Sequence, residues 1–137
     1  MRTPAAPGAA AVLAGLALVA AFPTLGCGHC IEDRVAAVYD HGVIEKALDQ
    51  HHQVAFFAIE GRLRAGESWR LIARTLASES GIDSPSLRVS VESASLSLSY
   101  DGKRISSGQI GDALNRGLAK RGLGVSLLKV IPQAAVR

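Results

Sequence analysis

From Gln53 onward the apolar positions change their period from one segment to the next. Val54-Ala55-Phe56-Phe57-Ala58-Ile59 is a continuous apolar run, the pattern of a strand covered on both faces. Glu60 to Glu67 is polar and holds two glycines, as a loop does. Trp69, Ile72, Ala73, Leu76 and Ala77 then recur at helical spacing, and Gly81 stands where a C-terminal cap is expected. Leu87, Val89 and Val91 alternate with Arg88, Ser90 and Glu92. Leu96, Leu98 and Tyr100 alternate with Ser97 and Ser99. Both runs predict half-buried strands, joined through Ser93-Ala94. Ser106 and Gln109 fit a capping box ahead of a stripe of Ile110, Ala113, Leu114, Gly117 and Leu118, closed by Gly122. Gly124 to Ile131 is a last strand, stopped by Pro132.

The order strand, helix, strand, strand, helix, strand predicts an α+β, ferredoxin-like βαββαβ domain over residues 53–132. Its sheet has four antiparallel strands and carries two helices. A five-residue tail, 133–137, follows. Upstream, Ile31, Val35, Val38 and Tyr39 mark one face of an N-terminal helical segment. Gly42 interrupts it, and Ile44, Ala47 and Leu48 continue the stripe. A ferredoxin-like sheet bears its helices on one face, yet Val54–Ile59 is apolar on both sides, and Leu127-Leu128 makes the last strand partly so. The segment from Ile31 to Leu48 is therefore expected to cover the second face, the alternative being a second copy of the protein.

Gly81-Ile82, Leu87–Glu92 and Leu96–Asp101 resemble the middle hairpin of heavy-metal-associated domains, the small copper and zinc chaperone modules. Ser107–Leu123 resembles their second helix. The resemblance spans roughly residues 53–131 and implies metal binding or metal delivery. That family holds its metal on a Met-x-Cys-x-x-Cys loop between first strand and first helix. Here the loop reads Gly61-Arg62-Leu63-Arg64-Ala65-Gly66-Glu67, without Cys, His or Met. Arg62 and Arg64 would repel a cation. They read first as solvated loop residues, and otherwise suit an anion or an acidic partner.

The first 26 residues read as an export signal. Arg2 precedes the apolar run Ala9–Ala21, and small residues follow, with cleavage after Ala21 or after Gly26. The run is too short to span a bilayer, which takes about 20 residues. The implied location is periplasmic or secreted. Thr24-Leu25-Gly26-Cys27 also partly resembles a lipobox, which would put lipid on Cys27. The membrane enters only through the signal or such a lipid. Fifteen Lys+Arg against twelve Asp+Glu, with aromatics at 4%, leave no basic, base-stacking surface, so no nucleic-acid partner is expected.

Residues 27–52 open on Cys27-Gly28-His29-Cys30, which holds the only two cysteines. Two thiols at this spacing ahead of a helix can hold one soft ion, and a helix N-terminus favours the thiolate. Cys27 and Cys30 suit Cu(I). Zn(II) wants four donors, for which His29 is a candidate and His41, His51 and His52 lie in reach along the sequence. The expected function is an exported Cu(I)- or Zn(II)-binding protein or metal chaperone. Cys-Gly-His-Cys is also the active-site sequence of disulfide isomerases, so thiol–disulfide exchange is the alternative. A protein-interaction module on a metal-chaperone-like fold, meeting a protein partner or itself, is another. No Ser/His/Asp order, phosphate loop or H-E-x-x-H occurs, so no enzyme is expected.

Overall fold

The computed structural model describes residues 30–64 and 66–133. Residues 1–26, which read as an export signal, lie outside the described residues, as do Cys27 and His29. The elements run α1 (Ile31–Ala37), α2 (His41–Asp49), β1 (Gln53–Glu60), α3 (Glu67–Ala77), β2 (Ile82–Ser90), β3 (Ser95–Tyr100), α4 (Ser107–Leu118), a single 3₁₀ turn (Ala119–Arg121) and β4 (Gly124–Ile131). The strands form one antiparallel sheet in the order β2-β3-β1-β4. This is the ferredoxin-like arrangement that the hydrophobic pattern predicts.

Two apolar layers enclose β1. On one face, Ala55, Phe57 and Ile59 pack with Leu96, Leu98 and Tyr100 of β3 against Ile72 and Leu76 of α3 and Ile110, Leu114 and Leu118 of α4. On the other, Val54 and Phe56 pack under Val38, Ile44 and Ala47, with Val35, Leu48, Leu128 and Ile131 at the margin. Phe56 and Phe57 are each only 1% exposed. The N-terminal segment thus covers the second face, as the continuous apolar run demands.

That cover changes the reading of β3. Its alternation predicts a half-buried strand, but all six residues are buried, Ser95, Ser97 and Ser99 included. The serines lie under the N-terminal layer. The Ser97 hydroxyl donates to Val38 O at 2.7 Å, and Ser99 N donates to Ser86 Oγ at 2.7 Å. A serine alternation marks a polar face only where water reaches it.

Other expectations are corrected in detail. The N-terminal helix breaks before Asp40 and not at Gly42. The Asp40 carboxylate accepts from Val43 N at 3.2 Å and so caps a new helix. Tyr39 and Ile31, expected on the apolar face, are 49% and 57% exposed. Helix α3 ends at Ala77 with Ser78 as its cap residue, and Gly81 closes the turn that leads into β2. Gly81 has φ 94°, and a Cβ there would stand 3.0 Å from Arg104 Cβ, so glycine is needed for both backbone and space. β2 starts five residues earlier than the Leu87 alternation suggests. Its pairing with β3 shifts between Asp83 and Arg88, where Pro85 sits in the irregular stretch of an edge strand. Val91 falls outside β2 and is exposed. A shift in register between Phe56 and Phe57 on the β4 side leaves Leu128 against the second layer and Leu127 48% exposed. The capping box of α4 forms as expected, with Ser106 Oγ accepting from Gln109 N and Gln109 Oε1 accepting from Ser106 N. Gly122 takes the left-handed conformation after the 3₁₀ turn.

Two ion pairs tie the N-terminal layer to β2. Arg88 Nε meets Asp40 Oδ2 at 2.8 Å, and Lys46 Nζ meets Asp83 Oδ2 at 3.2 Å. The Val43 amide first, and then the Arg88 guanidinium, hold the Asp40 carboxyl below its ordinary 3.8. The folded state therefore binds this proton less readily than the unfolded chain. The stabilisation is present above the unfolded value near pH 4 and is lost as pH falls through the lower folded one. Asp40→Asn keeps a good cap and removes the charge. The expected result is a shallower loss of urea midpoint in the variant than in the wild type as pH is lowered from 5 to about 2. Identical acid slopes would refute the assignment.

Candidate functional site

Cys30 is the residue on which α1 begins, and its carbonyl accepts from Arg34 N at 3.1 Å. Its side chain is half-buried. The helix that follows packs on the sheet through Val35 and, just past its end, Val38. The second cysteine of the C-x-x-C motif is therefore held on a fixed framework on the face opposite α3 and α4. A shallow groove of about 390 Å³ begins at the next residue, between Ile31, Val35 and Tyr39 on one side and Lys129 of β4 on the other.

The histidines beyond the motif do not join Cys30. His41 Nε2 lies 3.0 Å from Glu45 Oε1 on the exposed side of α2. His51 is exposed, in a left-handed turn with φ 57°. His52 turns to the sheet, its Nδ1 3.4 Å from Ser99 Oγ. Among the described residues no three His, Cys, Asp or Glu side chains come together as a metal site. Further donors to an ion on Cys30 would have to come from Cys27 and His29.

The loop between β1 and α3 is different in kind. Arg62 and Arg64 are exposed, as expected of loop residues, but they do not stand alone. Arg70 and Arg74 from α3 and Arg121 from the 3₁₀ turn line the same cavity of about 540 Å³. Glu67 is the one acidic side chain in its wall, and Leu71 and Leu123 supply apolar surface. Five guanidiniums thus face one carboxylate, and they are a third of the fifteen Lys+Arg in the chain.

The local fold explains the convergence. Gly61 lets the chain leave β1 at φ 103° directly against Gly122 and Leu123. That contact brings the loop beside the turn carrying Arg121. The buried Ser68 hydroxyl donates to Arg64 O at 2.8 Å and accepts from Arg64 N at 3.1 Å, fixing the loop to the first turn of α3. Arg70 and Arg74 then follow one helical turn apart, and Arg74 Nε reaches Arg70 O at 3.4 Å. The ion pairs among the described residues are His41–Glu45, Lys46–Asp83 and Arg88–Asp40, so none neutralises any of these five arginines. Arg70 and Arg74 were legible as an i, i+4 pair off the apolar stripe of α3. Arg121 carries no such signal, because only the contact at Gly61 and Gly122 brings it near. Trp69, placed by spacing in the apolar stripe, is 51% exposed in the same first turns of α3.

No protein-family model matches the chain, and no curated protein matches its sequence. Solved structures do resemble it. Oxidized MerP from Ralstonia metallidurans CH34 is 14% identical with a TM-score of 0.46, over 57% of this chain and 99% of that one. A CopZ metallochaperone is 22% identical with a TM-score of 0.43, over 53% of this chain and 98% of that one. A copper binding domain from HMA7, a P-type ATPase, is 12% identical with a TM-score of 0.46, over 57% and 96%. These identities transfer no ligand or partner, and the fold assignment rests on the strand order and layers above.

Proposed function

We propose that this protein is an exported metal-handling protein that carries Cu(I), with Zn(II) as the alternative cargo, on Cys27 and Cys30, with His29 as a further donor. The supporting observation is the placement of Cys30. It stands at the start of a helix packed on the sheet, while the loop that carries ligands in heavy-metal-associated domains here carries arginines. Thiolates are soft ligands that select Cu(I) over harder ions, and a pair suffices for linear coordination. Zn(II) needs His29 and a fourth donor from water or from a partner.

The test is metal stoichiometry. The mature chain, purified reduced and without oxygen, is expected to hold an equimolar amount of Cu(I) by elemental analysis. Cys27→Ser/Cys30→Ser is expected to hold none. A wild-type chain that binds neither Cu(I) nor Zn(II) would overturn the proposal, and exchange with glutathione at a defined potential would favour a redox role instead.

The arginine-lined loop favours a second reading, a binding module that keeps this fold and recognises an anion. On that reading the cysteine double variant keeps its function.

A further inference from the structure

We infer that the cavity between the β1–α3 loop, α3 and the 3₁₀ turn is a binding site for a small, multiply charged phosphoryl compound. It stands apart from the metal reading, since no cysteine takes part, so either can fail without the other.

Charge comes first. Arg62, Arg64, Arg70, Arg74 and Arg121 bring five permanent positive charges to one cavity, and Glu67 removes one. Like charges gathered without ionic partners destabilise the free protein, and this molecule does pair charge where it has the means. Arg88, the arginine that bridges β2 to α2, sits 2.8 Å from a carboxylate. A cluster that no ion pair among the described residues neutralises, on a chain of formal net charge +3, is suited to an anion that arrives from outside.

Shape selects the class. The cavity holds about 540 Å³, within the range of small-molecule sites and about the size of a phosphorylated metabolite. A protein partner would instead be met by an open face of roughly 800 Å². Guanidinium forks come here from three separate segments, and a tetrahedral phosphoryl group offers oxygens in several directions. Carboxylate offers two oxygens in one plane. The α3 N-terminus opens on the same cavity through Glu67 and Ser68. It begins on Gly66 with no side-chain cap, and its dipole adds to the positive field. Leu71 and Leu123 give the organic part of the ligand an apolar wall. Such a phosphoryl group could belong to a soluble compound or to a lipid headgroup.

Pyrophosphate titrated into the full mature chain at low salt should bind saturably, followed by Trp69 fluorescence and by calorimetry. Chloride at equal ionic strength should not reproduce the signal. Arg64→Ser/Arg121→Ser should weaken binding at least about tenfold, because it removes two charged donors. Lys103→Ser/Arg104→Ser, which removes two exposed cations outside the cavity, should change it less than about twofold. In the wild-type protein, pyrophosphate should shift the amide resonances of Arg62, Arg64, Ser68 and Leu123, whatever the variants do to folding. Vesicles of phosphatidylcholine with and without phosphatidic acid separate the sources. Arginine-dependent capture by the phosphatidic acid vesicles alone assigns the phosphoryl group to a lipid, and response to soluble pyrophosphate alone assigns it to a soluble compound. No saturable binding of either, equal losses in both double variants, resonance shifts elsewhere, or tighter binding of an oligoglutamate peptide than of pyrophosphate would overturn the assignment.

Discussion

Removing residues 1–52 is expected to leave a chain that no longer unfolds cooperatively as a monomer, whereas a chain beginning at Cys30 keeps the wild-type transition. The difference is the cover supplied by α1 and α2. Without them Val54 and Phe56, now 2% and 1% exposed, face water together with the buried serines of β3. Each large apolar side chain brought out of the core costs about 1.5–3 kcal/mol, so these two alone account for about 3–6 kcal/mol. Domains of this size have roughly 5–15 kcal/mol in total. The Ser97 to Val38 hydrogen bond and the Asp40–Arg88 and Lys46–Asp83 pairs are lost as well. The uncovered face sets Val54, Phe56, Leu128 and Ile131 beside the serine row on one open sheet surface, so self-association through the apolar part is the expected escape. Urea unfolding followed by sedimentation of both chains checks this. A monomeric 53–137 chain with an unchanged midpoint would show that the N-terminal layer contributes nothing to stability.

The second large effect is expected at Gly61. Valine there meets two separate obstacles. The residue has φ 103°, a region closed to branched side chains, and its Cβ would stand 2.5 Å from Gly122 O and 2.9 Å from Leu123 Cδ2. Backbone strain of this kind costs about 1–3 kcal/mol, and forced overpacking adds about 1–3 kcal/mol. Gly61→Val should therefore lower stability by about 2–6 kcal/mol, read from urea unfolding. If the loop instead shifts to relieve the clash, Arg62 and Arg64 move away from Arg121, and pyrophosphate affinity falls at least tenfold even in the folded fraction. A variant with wild-type stability and wild-type affinity would show that the contact between Gly61 and the 3₁₀ turn organises neither.

These two sites also show where reading along the chain succeeds and where it stops. The strands and helices from residue 53 onward announce themselves because their signals are local. A capping box needs Ser106 and Gln109 three residues apart, and a doubly covered strand needs a continuous apolar run. The C-x-x-C motif is legible for the same reason. Whatever depends on a second segment is not. Ser95, Ser97 and Ser99 resemble a solvated face until Val38 and its neighbours lie over them. Gly42 resembles a helix breaker, yet the Asp40 side chain decides the break by capping Val43 N.

From the sequence alone come the βαββαβ order, the need for a cover over Phe56, the cysteine pair and the absence of metal ligands between β1 and α3. Each follows from residue type and spacing within one segment. Only the tertiary structure decided that the cover is the chain's own N-terminal layer, that the cysteine motif leads into it, and that Arg62 and Arg64 share a cavity with Arg70, Arg74 and Arg121. The physical reason is common to all three. Burial and electrostatic field depend on distances between segments far apart in the chain, and those distances exist only once Gly61 has packed on Gly122 and the helices have closed on both faces of the sheet.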